Sequence, residues 1–321
     1  MSITTIVAPI ENDMKAVDAV IRERLNSDVV MIRTIGEYII SAGGKRMRPA
    51  LVLMVANALG YSGHLHHLLA ATVEFIHTST LLHDDVVDES ELRRGRSTAN
   101  SVFGNAASVL VGDYLYSRSF EMMVDVNEMK IMQIMSNATT VIAEGEVLQL
   151  LNVHDPDITV ERYMQVIHYK TAKLFEASAQ VAAVISGANH EVEQAAAAYG
   201  RHIGAAFQLI DDVLDYAGDV AALGKNVGDD LREGKPTLPL IRAMQVGSPE
   251  QAALIRSAIE TGEGDFEAVA NIIHDTDALS YTREMAVKEA MLAKEALSVF
   301  PASKFKESML ALADFSVSRD R

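Results

Sequence analysis

The stretch Leu81-Leu82-His83-Asp84-Asp85-Val86-Val87-Asp88 decides the fold, together with a second stretch of the same design, Gln208-Leu209-Ile210-Asp211-Asp212-Val213-Leu214-Asp215. Each places three carboxylates at positions i, i+1 and i+4 of an apolar helical run, so the acidic groups project from helices that otherwise favour burial. Burying several negative charges on such a face costs free energy unless a positive charge lies beside them. A hard divalent cation, which prefers oxygen ligands, supplies that charge. Two such faces pointing at one another predict a cluster of Mg²⁺ ions around a polyanion.

Length and composition favour one all-α domain over residues 1–321. With 321 residues and 49% hydrophobic content, the chain can bury a large core. Two ordinary domains would also fit this length, but no Pro- or Ser-rich linker divides the sequence. Apolar residues recur mostly at spacings of three and four, and strand signals are nearly absent. Successive long helices predict an antiparallel bundle around a central cavity.

Charge and terminal sequence exclude several other classes of protein. The net charge of −16 and the lack of a Lys- or Arg-rich tract argue against a nucleic-acid partner. The absence of Cys excludes disulfides and thiolate metal sites, and it fits a reducing cytoplasm, where we expect the protein to act. No signal-peptide pattern is evident at the N-terminus, and the apolar stretches are too short to span a bilayer. We therefore expect a soluble protein.

The apolar spacing also predicts where the helices lie. One helix carries the first aspartate cluster after a loop at residues 62–66, and residues 218–236 form an irregular Gly- and Asp-rich stretch, of a length more often functional than not. The other predicted helices span residues 12–26, 29–41, 49–60, 106–124, 130–151, 160–185, 192–216, 238–244, 251–260, 266–274 and 278–300.

The sequence resembles the trans-type isoprenyl diphosphate synthases over most of its length. That family carries two motifs of the form D-D-x-x-D, matched here at residues 84–88 and 211–215. Its other motifs follow in the same order: Gly43-Gly44-Lys45-Arg46-Met47-Arg48-Pro49, Arg93-Arg94-Gly95, Lys170-Thr171, Phe207-Gln208, Gly224-Lys225 and Gly234-Lys235. One acidic motif alone is weak evidence, but the ordered set is specific. The resemblance implies the all-α isoprenoid synthase fold, and it is greatest with bacterial long-chain members, through residues 104–113 and 142–146.

The resemblance also implies a prenyltransferase reaction. An allylic diphosphate ionises, the double bond of isopentenyl diphosphate attacks the allylic carbon, and a proton is lost. Ionisation is the difficult step, because the departing pyrophosphate gains negative charge that Mg²⁺ ions stabilise where water is excluded. By resemblance, up to three Mg²⁺ ions bind most directly to Asp84, Asp88 and Asp211. Asp85, Asp212 and Asp215 are expected as further or water-mediated ligands.

Two basic groups of residues are implied for the two substrates. For the allylic diphosphate, the resemblance implies Arg93, Lys170 and Lys225, with Lys235 nearby. For isopentenyl diphosphate, it implies Lys45, Arg48, His77 and Arg94, and the first two lie where the chain enters a helix, a position that favours anions. Thr171 and Gln208 would flank the developing allylic cation, and Phe207 would pack beside the substrates. We expect the released pyrophosphate to take the proton, so no dedicated general base is needed.

Residues before the first aspartate cluster bear on product length. Ser79 and Thr80 precede Asp84 by about one helical turn, and their small side chains leave the cavity open, where shorter-chain relatives carry aromatic residues. We expect the growing chain to stop at Met122 and Met123, which are flexible and make a soft floor. The expected product has about 35 to 45 carbon atoms, with about 40 as the single best value, and farnesyl diphosphate is the expected primer.

Three other hypotheses were compared with a long-chain synthase. A non-catalytic subunit of the same fold usually loses aspartates or the paired arginines, and this chain keeps them. A terpene cyclase generally lacks the Gly-Gly-Lys-x-x-Arg-Pro segment. A shorter-chain synthase that makes farnesyl or geranylgeranyl diphosphate remains an alternative. The chain length of the product distinguishes it from a long-chain synthase.

Expectations about partners and about a histidine group complete the prediction. The resemblance implies a homodimer, with residues 106–124 as one possible interface, and the apolar product suggests weak association with a membrane surface. His64, His66 and His67 look like a metal site by composition. We expect them to lie in a surface loop without a carboxylate partner and to bind no metal.

Overall fold

The computed structural model describes residues 2–93, 95–217 and 228–319. Within these ranges, none of the helices has both the length and the apolar content required to cross a membrane. The described chain is almost entirely helical, which confirms the all-α prediction. In order, the helices are α1 (Ile3–Val7), α2 (Glu11–Arg24), α3 (Val30–Ser41), α4 (Met47–Ala58), α5 (Leu65–Val87), α6 (Ala99–Phe103), α7 (Asn105–Val126), α8 (Met129–Asn152), α9 (Val160–Val166), α10 (Lys173–Ile185), α11 (His190–Ala217), α12 (Asp229–Arg232), α13 (Leu238–Val246), α14 (Pro249–Thr261), α15 (Phe266–Asp275), α16 (Ala278–Ala296) and α17 (Lys304–Ser318).

Local sequence explains several of these helix ends. Ser248 caps α14 in a reciprocal capping box with Gln251, and Pro249 occupies its first turn. Asp265 accepts hydrogen bonds from the first backbone amides of α15. At the other end of α14, Gly262 adopts a left-handed conformation (φ 66°), as is common after a helix. These short-range interactions fix where the two helices begin and where α14 ends.

The two helices that carry the aspartate clusters are buried along most of their length. α5 packs chiefly on α7 and α4, and α11 packs on α16 and α10. Gly200 and Gly204 allow the close crossing of α10 and α11, because a Cβ at Gly200 would lie 2.3 Å from the carbonyl oxygen of Phe175. The main apolar core spans α2, α4, α5, α7, α10 and α17. Both acidic clusters are therefore attached to rigid, well-packed elements.

One predicted helix is interrupted. Residues 160–185 were expected as a single α-helix, but Ile167–Ala172 forms a π-helical turn between α9 and α10. Such a turn contains an extra residue and often occurs at functional sites. Gly145 of α8 lies against it, since a Cβ there would be 2.7 Å from the backbone nitrogen of Lys170. The extra residue thus brings α8 and the segment carrying Lys170 into close contact.

Three further features were not predicted. The C-terminal helix Lys304–Ser318 packs on α16 and α4. Leu92–Arg93 (β1) and Arg96–Ser97 (β2) pair as a short two-stranded antiparallel ladder. The expectation that His66 and His67 lie in a loop was wrong, because α5 begins at Leu65.

Candidate active site

A cavity of about 230 Å³ lies where the two aspartate-bearing helices converge. Its wall combines acidic residues of both clusters with basic residues from three other segments. The polar and charged lining residues are Asp84, Asp88, Arg93, Gln149, Asn152, Tyr163, Lys170, Thr171, Gln208, Asp212, Asp230, Lys235 and Thr237. Leu81, Ile158, Val166 and Ile167 supply apolar surface between them. Carboxylates and cations that lie far apart in the sequence therefore face one space.

The first cluster sits at the carboxyl end of α5, and its members face different ways. Asp84 and Asp88 line the cavity. Asp88 accepts a hydrogen bond of 3.0 Å from Lys235 Nζ, across 147 residues of sequence. Lys235 also lies 2.6 Å from Glu233, and although burial opposes it, the charges of Asp88 and Glu233 raise the pKa of this lysine. Asp88 and Lys235 thus close one side of the cavity with an ion pair.

Asp85, by contrast, is fully buried away from the cavity. Its Oδ1 accepts hydrogen bonds from Arg93, at 2.8 Å to Nε and 2.7 Å to Nη2. Its Oδ2 is buried without a hydrogen-bond partner among the described residues. The side chain of Asn100 donates to its backbone carbonyl at 3.1 Å. The predicted ligand Asp85 and the predicted substrate-binding Arg93 therefore contact each other, and Asp85 fixes the arginine at the cavity edge.

Lys170 lies between two acids and an amide. Its Nζ is 2.6 Å from both Glu146 Oε2 and Gln149 Oε1, and 3.7 Å from Asp84 Oδ2. Burial raises the pKa of Glu146 to about 7, although the charge of Lys170 opposes that rise. Burial also raises the pKa of Asp84. A cation or an anion that binds here therefore changes the protonation of these acids.

The second cluster contributes Asp212 to the cavity. This carboxyl accepts hydrogen bonds from the Tyr163 hydroxyl and, at 2.9 Å, from Gln208 Nε2. Thr171 in turn donates to Gln208 Oε1 at 3.0 Å. Burial, with the charge of Asp230 nearby, raises the pKa of Asp212 to about 8. A carboxyl group buried in this way ionises more readily when a cation lies beside it.

The other two members of that cluster make separate contacts. Asp211 Oδ1 accepts a 2.6 Å hydrogen bond from Arg319 Nη2. Arg319 is almost fully buried, and its guanidinium lies 3.7 Å from the ring centroid of Phe207. Asp215 is fully buried, and its Oδ2 accepts from the backbone amide of Asp230 at 3.2 Å. Asp211 is thus paired with the C-terminal segment, and Asp215 holds the start of α12.

A second polar group lies between α4, α5 and α11. Arg48 Nη1 is 3.2 Å from His77 Nε2, and its guanidinium lies 4.3 Å from the ring centroid of Phe175. Lys45 Nζ lies 5.5 Å from the ring centroid of Phe207. The structure therefore brings Lys45, Arg48 and His77 together against aromatic surfaces. Arg94 and Lys225, which were predicted beside the two substrates, lie outside the described residues.

The four residues predicted to set chain length occupy different environments. Ser79 is buried and donates a 2.8 Å hydrogen bond to the carbonyl of Gly112 on α7. Thr80 is half-buried and bonds to the carbonyl of His77 within its own helix. Met122 and Met123 are buried in the core on α7. None of the four lines the cavity described above. Their role in product length stays a prediction.

Some residues that contact the predicted site residues were not themselves predicted. Glu146, Gln149, Tyr163, Asp230 and Arg319 contact predicted site residues but were not assigned roles. Glu146 and Gln149 gave a usable signal, since their spacing of three places both on one helix face. For Tyr163 and Arg319 no local pattern exists, because their partners are 49 and 108 residues away.

Comparison with known proteins adds an independent line of evidence. The chain is 55% identical over 311 residues to octaprenyl diphosphate synthase of Escherichia coli (strain K12), covering 96% of each chain. It is 45% identical to all-trans-nonaprenyl-diphosphate synthase (geranyl-diphosphate specific) of Rhodobacter capsulatus, over 98% of this chain and 97% of that one. The crystal structure of polyprenyl synthase from Caulobacter crescentus CB15, complexed with calcium and isoprenyl diphosphate, has a TM-score of 0.97 at 45% identity. It covers 100% of this chain and 98% of the other.

The sequence also matches the model of the polyprenyl synthetase family, in agreement with those relatives. The match spans residues 29–276, from α3 through α15, and includes both aspartate clusters. The chain belongs to the polyprenyl synthetase family and is a prenyltransferase.

Proposed function

We propose that this protein is a long-chain trans-polyprenyl diphosphate synthase that extends an allylic diphosphate with successive isopentenyl diphosphates. One observation carries the proposal: Asp84 and Asp88 from α5 and Asp212 from α11 face one cavity that also contains Lys170 and Lys235. A diphosphate can bind to both the acidic and the basic residues of this cavity. Metal ions would join it to the carboxylates, and the lysines would bind its oxygens directly.

The acidic groups suit Mg²⁺, of which we propose up to three per site. All are oxygen donors, and burial holds the pKa of Asp84 and Asp212 high, as expected of carboxylates whose compensating charge comes from a cation. When bound, Mg²⁺ neutralises the charge that develops on the departing pyrophosphate. Asp84, Asp88 and Asp212 are the proposed ligands within the cavity. Asp211 and Asp215 are proposed from the motif, and Asp85 is proposed to act through Arg93.

The basic residues are proposed to orient the two diphosphates. Lys170, Arg93 and Lys235 surround the cavity and would bind the allylic diphosphate, with Lys225 added from the motif. Arg48, His77 and Lys45 lie together by the aromatic rings of Phe175 and Phe207 and would bind isopentenyl diphosphate, with Arg94. Arg binds phosphate oxygens in pairs through its planar fork, whereas Lys supplies a movable point charge.

Gln208 and Thr171 are proposed to stabilise the allylic carbocation. Their mutual hydrogen bond fixes the amide, so that Gln208 donates to Asp212 while its oxygen accepts from Thr171. An oxygen in this position presents partial negative charge toward the developing cation. Phe207 adds an aromatic face to the same wall. The preorganised dipoles need no rearrangement during ionisation.

We propose a product of about 40 carbon atoms made from farnesyl diphosphate, which rests on the small side chains at Ser79 and Thr80 and on the strong similarity to an octaprenyl diphosphate synthase. Such a product suits the side chain of a lipid-soluble quinone. It is also apolar enough to favour weak contact with a membrane surface, and cytoplasmic synthesis is proposed.

A homodimer is proposed from the surface of α7 and α8. Both helices expose large apolar side chains, among them Leu110, Val124, Val147, Leu150 and Leu151. A shallow groove lined by Tyr116, Ala143 and Val147 lies between the two helices. Contiguous exposed apolar surface of this kind favours an interface.

The deciding experiment is a product assay. Purified protein is incubated with Mg²⁺, farnesyl diphosphate and labelled isopentenyl diphosphate, and the dephosphorylated products are resolved by length. We expect a product of about 40 carbons that disappears with EDTA, and activity reduced about 10²–10³-fold in Asp84→Ala. Asp275→Ala, which removes an exposed carboxylate far from the cavity, is the matched control.

Other outcomes discriminate between hypotheses. A shorter product would retain the proposed chemistry but refute the proposed chain length. If folded protein elongates no allylic primer, the non-catalytic subunit becomes the better hypothesis. Full activity in EDTA would refute the metal-dependent mechanism.

A further inference from the structure

Asp13, His66 and His67 form a compact cluster outside the cavity. Asp13 comes from the first turn of α2, and the two histidines from the first turn of α5. His67 Nε2 lies 2.9 Å from Asp13 Oδ1, and His66 Nε2 lies 3.6 Å from the same oxygen. Contrary to the expectation from sequence, this histidine group therefore has a carboxylate partner, 54 residues from His67 along the chain.

The spacing of these atoms fits a small tetrahedral cation. The donor atoms of the three side chains all lie within 4.8 Å of one another. A tetrahedral Zn²⁺ site has bonds of about 2.0–2.1 Å to nitrogen and oxygen, which gives about 3.3–3.4 Å between neighbouring ligand atoms. The two measured oxygen–nitrogen distances lie on either side of that value.

Two further observations bear on the site. His66 is 4% exposed, so packing holds its ring in place. The second carboxylate oxygen of Asp13 accepts a 3.0 Å hydrogen bond from Asn57, which is anchored to the carbonyl of Leu53 on α4. Metal ligands are commonly oriented by such outer hydrogen bonds. A metal ion can reach the site from solvent, because the side chains of Asp13 and His67 are 27% and 20% exposed.

We propose that Asp13, His66 and His67 bind a divalent transition-metal ion of the Zn²⁺ class, with water in the fourth position. Imidazole and carboxylate donors favour such an ion over Mg²⁺, so this site and the cavity would select different metals. The ion would connect α2 to the start of α5, with α4 supporting Asp13 through Asn57. A ligand that binds only the folded state stabilises it, so the proposed role is structural. The proposal does not depend on the proposed enzymatic activity.

The experiment is a Co²⁺ titration of the full-length, metal-free protein in excess Mg²⁺. Four-coordinate Co²⁺ with nitrogen ligands absorbs visible light strongly, whereas six-coordinate oxygen sites absorb weakly, so the aspartate clusters contribute little signal. We expect a visible band that saturates at about one Co²⁺ per chain and is displaced by Zn²⁺. Zn²⁺ should also raise the melting temperature.

The variants His67→Ala and Asp13→Asn should abolish the band and weaken binding by more than about 10-fold. His274→Ala is the matched control, because it removes an exposed histidine beside Asp275 that has no second histidine. Circular dichroism would verify that each variant is folded, and His67→Gln provides a milder substitution. The proposal is overturned if the wild-type protein gives no band, or if His67→Ala binds Co²⁺ as the wild type does.

Discussion

The guanidinium of Arg319 lies 2.6 Å from the carboxylate of Asp211, so the last described residue of the chain reaches the second aspartate cluster. The same guanidinium donates to the carbonyl of Phe207 and stacks on its ring. Asp211 is a predicted metal ligand that, in this state, already has a cationic partner. If Asp211 binds metal as proposed, Arg319 would have to give up this ion pair or share the carboxylate with the ion.

Replacing this arginine should strengthen metal binding. In Arg319→Ala, the positive charge beside Asp211 is removed, and we expect Mn²⁺, used as a spectroscopic probe of oxygen sites, to bind about 3- to 10-fold more tightly. Electron paramagnetic resonance of free Mn²⁺ measures this affinity. Lys294→Ala, which removes an exposed ion pair with Asp314, serves as control. Weaker binding in Arg319→Ala would mean that the arginine supports the site rather than competing with metal.

Metal binding should depend on pH and release protons. Burial raises the pKa of Asp212 to about 8 and that of Glu146 to about 7, so both acids bind protons more readily near neutral pH than ordinary carboxyl groups do. Because a cation binds the ionised carboxylate, affinity should rise as pH increases from about 6 to 8. Mn²⁺ titrations at several pH values, with proton uptake or release followed by calorimetry in two buffers, test this. Glu146→Gln should flatten the profile near pH 7 only, and a pH-independent affinity would contradict both shifts.

Adjacent residues on α5 should respond differently to enlargement. Thr80 is half-buried one turn before Asp84, so Thr80→Tyr should shorten the product while the protein stays folded. Ser79 is buried against the carbonyl of Gly112, so Ser79→Tyr should instead cost about 1–3 kcal/mol of stability by overpacking. Product chromatography and thermal unfolding separate the two effects. An unchanged product length in Thr80→Tyr would remove this residue from the chain-length mechanism.

An acidic residue on the exposed apolar surface should disrupt the proposed dimer. Leu110 is 67% exposed on α7, and Leu110→Asp would place a charge in the interface. Analytical ultracentrifugation should then detect monomer where the wild-type protein sediments as a dimer. Leu254→Asp on α14 is the control, because that side chain is exposed away from α7 and α8. A wild-type monomer, or a dimer unaffected by Leu110→Asp, would refute this interface.

The glycine at the crossing of α10 and α11 should tolerate no side chain. A Cβ at Gly200 would lie 2.3 Å from the Phe175 carbonyl oxygen, and backbone cannot move aside as a side chain can. We expect Gly200→Ala to cost about 3 kcal/mol of unfolding free energy. Gly63→Ala is the matched control, since its nearest neighbour is the movable Tyr61 side chain. Urea denaturation of both variants measures the difference.

Local sequence patterns were sufficient to predict the long helices and the two aspartate clusters. Helix periodicity located the long helices, because burial of one face repeats at short spacing. The aspartates were found for the same reason, since positions i and i+4 lie on one helix surface. The prediction of a single domain rests on the lack of a linker and stays a prediction.

Contacts between distant segments explain what the sequence did not reveal. The carboxylate beside His67 and the lysine beside Asp88 are joined only by tertiary packing, across 54 and 147 residues. Burial decided the orientation of Asp85, which turns from the cavity toward Arg93 although it is adjacent to Asp84. Sequence spacing alone does not reveal which helices pack together. It therefore cannot show which distant residue a side chain contacts or which way that side chain points.

Because Ile167–Ala172 forms a π-helical turn, the relative orientation of α9 and α10 depends on the number of residues in this segment. Deleting one residue would allow a regular α-helix, which is locally the more favourable structure, but would rotate one half against the other by about 100°. Either the apolar face of α10 would leave the core, or Lys170 and Thr171 would leave the cavity wall. A substitution can be compensated by a neighbouring side chain, whereas a change in this count cannot. We therefore expect the length of this segment to tolerate less variation than its composition.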